Sequence, residues 1–137
     1  MNITMDDVSA NDPQFAALWA EAWGVVLLSG DTDYSAAPPF GGPLDIAWLI
    51  RVDGEPAGIR AYHDWGNGTA QGRMTYVRPN FQRQGICDAT WEMTVERLKA
   101  RGITRLVYTV LASAYAMKAV CAKRGDRIRS YQYERSL

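Results

Sequence analysis

With 137 residues the chain is long enough for one domain, residues 1–137, built on a single core. Its 15 basic residues cancel its 15 acidic ones, and 47% of it is hydrophobic, the ordinary balance of a soluble globular protein. No apolar run approaches bilayer length, Val25 to Leu28 being far too short, and two cysteines with one histidine leave no ligand cluster for zinc, so neither a membrane partner nor a metal is expected.

Cys87 and Cys121 fit a reducing compartment. The opening residues, Met1-Asn2-Ile3-Thr4-Met5-Asp6-Asp7, carry two acids and no basic stretch of a secretory signal, so a cytoplasmic location is expected. The neutral total hides an asymmetry. Residues 1–55 hold nine acids and one base, Arg51, while residues 56–137 hold fourteen bases and six acids. A basic second half suits a ligand with several phosphates, and an acidic first half suits an amine, if charge along the chain also separates in space.

Taken in order, Asn2 to Met5 reads as a short strand. Asp12-Pro13 is a helix cap followed by a first-turn proline. Phe15, Leu18, Trp19, Ala22 and Trp23 recur at helical spacing, which predicts an amphipathic helix over 13–23 with Gly24 as a candidate stop. The stretch on to Leu28 reads equally as further helix or as extended chain. Residues 29–44 are a Pro/Gly-rich loop long enough to carry function, with Tyr34 and Phe40 its notable side chains. Ile46 to Val52 and Ala57 to Asp64 are strands joined by the hairpin signal Asp53-Gly54-Glu55-Pro56. Trp65-Gly66-Asn67-Gly68 makes another turn, and residues 70–78 form the next strand.

A helix is predicted from Gly85 to Arg101, with Trp91, Val95 and Leu98 on its packed stripe, Ile86, Ala89 and Met93 beside them, and Gly102 after its end. Ile103 to Val110 is a strand, Ala112 to Lys123 a helix stopped by Gly125, and Asp126 to Glu134 a last strand. The order is β-α-loop-β-β-β-α-β-α-β, with no internal repeats or heptads.

The stretch Val77-Arg78-Pro79-Asn80-Phe81-Gln82-Arg83-Gln84-Gly85-Ile86-Cys87 carries the most chemistry. A strand runs into a short polar loop, a glycine and a helix. Backbone N–H groups of such a loop turn inward, and the helix aims its positive end at the same point, which together cradle a phosphate. The stretch resembles motif A of the GNAT family of N-acetyltransferases, a strand ending Val-x-Pro followed by Gln/Arg-x-x-Gly-x-Gly/Ala. Val77, Pro79, Gln82 and Gly85 match, while Cys87 stands where the family prefers Gly or Ala. The paired strands before the motif, with Gly58 at a small position, also resemble the family's second and third strands.

The resemblance implies an α+β layered fold with a mixed, mostly antiparallel central sheet flanked by helices. It implies acetyl-CoA or another acyl-CoA as co-substrate and no metal. Backbone groups around Thr75, Tyr76 and Val77 would bind the pantetheine arm. The run Gln82, Arg83, Gln84, Gly85, Ile86 and Cys87 would hold the pyrophosphate, with Arg78 and Arg83 able to add charge-assisted contacts. The implied reaction is direct attack of a neutral amine on the thioester. The 29–44 loop would shape the acceptor site, and Trp65 is a further candidate there.

The proton-handling residues are less well marked. Relatives often carry a glutamate early on the strand before the motif, but Ala70-Gln71-Gly72-Arg73-Met74-Thr75-Tyr76 has no carboxylate. His63 is the only histidine and suits proton transfer, although a lone histidine at a strand end is more often plain polar surface. The family's general-acid tyrosine, counted back from Gly125, falls on Cys121, and its asparagine on Ala114. Tyr108 and Tyr115 are the other candidates for that role.

The expected function is therefore an acyl-CoA-dependent N-acyltransferase acting on a primary amine of a small molecule or peptide, with a homodimer as one arrangement. The alternative is a non-catalytic relative that keeps the fold and coenzyme A but serves as a binding or regulatory module. A nucleic-acid partner is not favoured: the basic segment Lys118, Lys123, Arg124, Arg127, Arg129 and Arg135 is interrupted by Asp126 and Glu134.

Overall fold

The structure, a computed structural model, describes residues 1–30, 34–109, 127–129 and 132–137. Seven strands form one sheet in the order β1-β2-β3-β4-β5-β7-β6 among the described residues. They are β1 (Ile3–Asp7), β2 (Asp45–Val52), β3 (Glu55–Asp64), β4 (Thr69–Val77), β5 (Arg105–Thr109), β6 (Arg127–Arg129) and β7 (Gln132–Ser136). Every neighbouring pair is antiparallel except β4 and β5, which run parallel. Two helices, α1 (Pro13–Ser29) and α2 (Ile86–Ala100), cover opposite faces. This is the α+β layered architecture with a mixed, mostly antiparallel sheet that the sequence implies.

The β-strands alternate between these faces, as a period of two requires. Ile46, Trp48, Ile50 and Val52 of β2 join Tyr62, Val77, Ile86 and Leu98 on the α2 side. Ala47, Leu49, Ile59 and Ala61 meet Phe15 and Leu18 on the α1 side. The β2–β3 turn holds Asp53 at φ 50 and Gly54 at φ 84, the left-handed pair that a two-residue hairpin needs.

Three elements differ from the sequence reading. Helix α1 does not stop at Gly24; it runs to Ser29 and ends at Gly30 in the left-handed conformation, φ 73. One interior glycine costs only about 1 kcal/mol, whereas Gly30 satisfies the terminus. The last strand, read as one segment from Asp126 to Glu134, is two antiparallel strands, β6 and β7, with Ile128 opposite Tyr133. The fully buried row of α2 is Ile86, Thr90, Thr94 and Leu98, with Trp91, Met93 and Val95 only partly covered. Threonine hydroxyls enter that row because each donates to the carbonyl one turn back, Thr90 to Ile86 at 2.8 Å and Thr94 to Thr90 at 2.8 Å. The predicted helix over Ala112 to Lys123 lies outside the described residues.

Candidate active site

The site begins where two parallel strands part. β4 and β5 pair at Thr69↔Arg105, Ala70↔Leu106 and Gln71↔Val107, and the ladder ends there. Among the described residues, β4 continues to Val77 along β3 alone. Its register against β3 shifts between Ala61↔Met74 and Tyr62↔Gly72, leaving Arg73 as the extra residue of a bulge. The bulge bends β4 at the point where it leaves β5. Gly72 sits at this corner, and a Cβ there would stand 3.0 Å from the Cβ of Tyr108.

Backbone direction beyond the bulge follows from one bond. Arg78 N–H donates to the Ala57 carbonyl at 2.8 Å, so that pair faces inward between β3 and β4. Antiparallel alternation then turns Tyr76 and Met74 to β3 as well. It leaves the N–H and C=O groups of Thr75 and Val77 facing the gap beside β5. Of the three strand residues expected to meet a ligand, Thr75 and Val77 thus present backbone there. Tyr76 presents its side chain instead on the α1 face, where its hydroxyl donates to Glu21 at 2.8 Å. Burial, and then Glu21, pushes the Tyr76 phenol up to about 12.

At the end of β4 the chain makes one short 3₁₀ turn, Pro79–Phe81, and enters the Gln82–Cys87 loop. Arg83 at φ 63 and Gly85 at φ 76 are both left-handed, two residues apart, the backbone alternation from which anion-binding turns are built. Gly85 is the cap residue of α2, with no side-chain bond to its first turn. A Cβ added at Gly85 would meet open space, so glycine is required there by its φ and not by crowding. Gln82 folds back and donates its Nε2–H to the gap-facing carbonyl of Val77 at 2.9 Å, tying loop to strand. Gln84 donates to the Asn80 carbonyl at 3.3 Å. Arg78 lies 3.4 Å from Glu21, and Arg83, Gln84, Gly85 and Cys87 are exposed at the mouth.

His63 and Tyr108 approach the splay from opposite faces. His63 pairs in register with Gln71, the last β4 residue held by β5, and shares the α1 face with Ile59 and Ala61. Tyr108 packs against the α2-side core. His63 Nδ1 lies 2.7 Å from Asp45 Oδ1. Burial pushes the Asp45 carboxyl up, but bonds from the Gly41 amide, His63 and the Gly42 amide outweigh it and hold it below its ordinary range. An ionised carboxylate only accepts, so Nδ1 carries the hydrogen and Nε2 keeps its lone pair in the neutral ring. Tyr115 and Cys121 lie outside the described residues.

The residue pattern did not single out Asp45, Glu21 or Arg60. Arg60 is 4% exposed and lies under the first turn of α2. Its only sequence signal is one charge inside the apolar run Ala57 to Tyr62. Phe40 stacks on Trp19 at 4.7 Å and on Phe15 at 5.9 Å, and Tyr34 meets the Trp23 edge at 5.4 Å, so the two side chains expected to matter in the 29–44 loop both lie against α1. Trp65 is 46% exposed in the β3–β4 turn, at the end of β4 away from the Gln82–Cys87 loop.

Residues 13–125 match the model of the GNAT acetyltransferase family. The chain belongs to that family. A thialysine N-epsilon-acetyltransferase of Caenorhabditis elegans is 34% identical over 68 residues, which span 47% of this chain and 42% of that protein. An acetyltransferase from Thermus thermophilus superposes with a TM-score of 0.76 at 18% identity, over 100% of this chain and 98% of that one. A GNAT family acetyltransferase from Elizabethkingia anophelis, solved with acetyl-CoA bound, gives 0.74 at 18% identity over 99% of both chains. At these identities the two structures show a shared GNAT fold. No helix of the described residues is long and apolar enough to cross a membrane. No group of three or more His, Cys, Asp or Glu among them could hold a metal ion.

Proposed function

We propose that this GNAT protein is an acyl-CoA-dependent N-acetyltransferase that moves an acetyl group onto a primary amine of a small molecule or peptide, in a cytoplasmic setting. The observation that carries this reading is the continuous path from the Arg73 bulge, along the gap-facing edge of Thr75 and Val77, which no described strand pairs, to the left-handed loop at Arg83 and Gly85. An extended pantetheine arm fits the strand edge, and a diphosphate fits the N–H groups at the start of α2. Acetyl-CoA supplies the activated thioester.

The residues divide the remaining work. A free alkyl amine has a pKa of about 10 and must lose a proton before it attacks. His63 Nε2 is the acceptor of that proton, and Asp45 holds the ring and stabilises the imidazolium. The amine nitrogen forms its bond to the carbonyl carbon, the carbon–sulfur bond breaks, and the nitrogen releases its second proton to water. Gap-facing strand N–H groups stabilise the oxyanion between these events. Tyr108, on the opposite face at the corner, is the described side chain best placed to protonate the leaving thiolate; Tyr115 and Cys121 stay as rivals for that role. The His63–Asp45 pair favours catalysis over a silent binding module, because a purely binding relative has no need of a base.

Calorimetric titration with acetyl-CoA, with Gly85→Glu as control, tests the proposal. Binding that disappears in the variant supports it, since Glu at φ 76 strains the loop and places a carboxylate at the anion site. Absence of binding to acetyl-CoA, CoA and longer acyl forms by a folded wild-type protein would sink it. Binding without turnover on any amine would favour the binding module.

A further inference from the structure

Among the described residues, Arg60 is a buried cation without a counter-ion. It is 4% exposed. Its three donor groups all end on neutral acceptors: Nε on Thr90 Oγ1 at 3.1 Å, Nη1 on the Tyr62 hydroxyl at 3.1 Å and Nη2 on the Cys87 carbonyl at 3.0 Å. The Trp91 ring lies 5.9 Å from its Cζ. No carboxylate pairs with it among the described residues, and Asp88, in the same turn of α2, is exposed.

Burying an unpaired charge is costly. Its location adds to the cost. Thr90 and Cys87 belong to the first turns of α2, so the guanidinium stands under the positive end of a helix dipole, where a cation is disfavoured. Packing alone does not call for arginine here, since a methionine of similar length would fill the space without the charge. The arrangement gains a reason once an anion occupies the N-terminus of α2, because its attraction to the guanidinium then offsets both unfavourable terms.

Resting on the coenzyme A reading of that loop, we propose that Arg60 is a positioning residue for a diphosphate: it ties down the first turn of α2 from below and supplies a fixed, water-excluded positive charge that selects a ligand with a diphosphate at this end. It acts through its field and not by touching the ligand; the Cys87 carbonyl and the Tyr62 and Thr90 hydroxyls hold the guanidinium in place, so that loss of one of them leaves the charge where it stands.

The test measures acetyl-CoA binding by calorimetry at two salt concentrations, and thermal stabilisation by inorganic pyrophosphate alone. The proteins are wild type, Arg60→Met, Arg60→Gln, Arg60→Lys and Thr90→Val. Loss of the charge in Arg60→Met or Arg60→Gln should weaken acetyl-CoA about tenfold and flatten its salt dependence. Arg60→Lys, which keeps the charge, and Thr90→Val, which loses only a hydrogen-bond partner, should stay within about threefold of wild type. Pyrophosphate should raise the melting temperature of wild type more than that of the neutral variants.

Should Arg60→Lys and Thr90→Val weaken binding as much as the neutral variants, the residue is merely structural and the proposal falls. It falls equally if a folded neutral variant binds as tightly as wild type. Should Arg60→Met fail to fold, Arg60→Gln carries the comparison. If wild type ignores acetyl-CoA, the coenzyme reading fails, and pyrophosphate decides Arg60 separately: a shift in wild type greater than in the neutral variants keeps the anion field, and equal shifts overturn it.

Discussion

His63 and Asp45 stand directly opposite each other in the β2–β3 ladder, with Nδ1 and Oδ1 2.7 Å apart, and the second Asp45 oxygen accepts the amides of Gly41 at 2.9 Å and Gly42 at 2.8 Å. One carboxylate therefore fastens the end of the α1–β2 loop and orients the only histidine. Loop position and imidazole tautomer are coupled through it.

Asp45→Asn tests that coupling. The folded-state carboxyl is held below its ordinary range, so its stabilisation is whole above about pH 4 and is lost as pH falls through the lower folded value. At neutral pH the variant should lose about 1–3 kcal/mol, the scale of hydrogen bonds to a charged group. The difference from wild type should shrink on acidification below about pH 4. Urea denaturation at neutral and acidic pH measures both. A constant difference across that range would show that the charge is not what binds the loop.

His63→Ala should lower kcat about 100-fold with little change in acetyl-CoA affinity. The ring stands on the α1 face, whereas the anion loop lies beyond the far end of β4. Steady-state kinetics with an acceptor amine, paired with calorimetry, separates the two quantities. Weaker acetyl-CoA binding with unchanged kcat would assign His63 to the ligand site instead of to proton transfer.

Tyr76→Phe removes the bond to Glu21 and should cost about 1 kcal/mol near neutral pH. The phenol is raised to about 12 in the folded protein, so its contribution is whole below about pH 10 and disappears as pH rises from there through about 12. Wild type should lose its advantage over Tyr76→Phe across that alkaline window, as followed by unfolding midpoints. Because Tyr76 stays protonated throughout the neutral range, an activity profile with an acidic Tyr76 limb would contradict the arrangement.

Gly58→Ala should be among the most damaging small substitutions. A methyl group there would overlap the carbonyl oxygen of Tyr76 and crowd the Cα of Val77 at 3.1 Å, both in the backbone of β4. No rotamer relieves a clash between a Cβ and a main chain, so β3 and β4 must separate, at about 2–3 kcal/mol. The displaced strand includes the gap-facing groups of Val77, so acetyl-CoA binding should weaken with stability. Thermal unfolding and calorimetry on the same variant check the pair of effects.

Features under short-range chemical control are legible in the order of residues. Asp12 caps α1 by accepting the amides of Gln14 and Phe15. Asp53-Gly54 turns the hairpin because these two residues tolerate positive φ. The Val77–Cys87 stretch makes its loop from its own glycine, proline and glutamine, which is why the family was legible there. Tertiary structure decided what depends on register and on partners far along the chain. Gly24 and Gly30 look alike as stops, and only the folded backbone shows that Gly30 takes the left-handed cap conformation while Gly24 does not. His63 gained its partner only when β2 brought Asp45 across from it, 18 positions away. Arg60 reads as a stray charge in an apolar strand until α2 lays Thr90 and Cys87 over it, 30 and 27 positions on. Strand pairing and helix docking set those distances, and no local pattern encodes them.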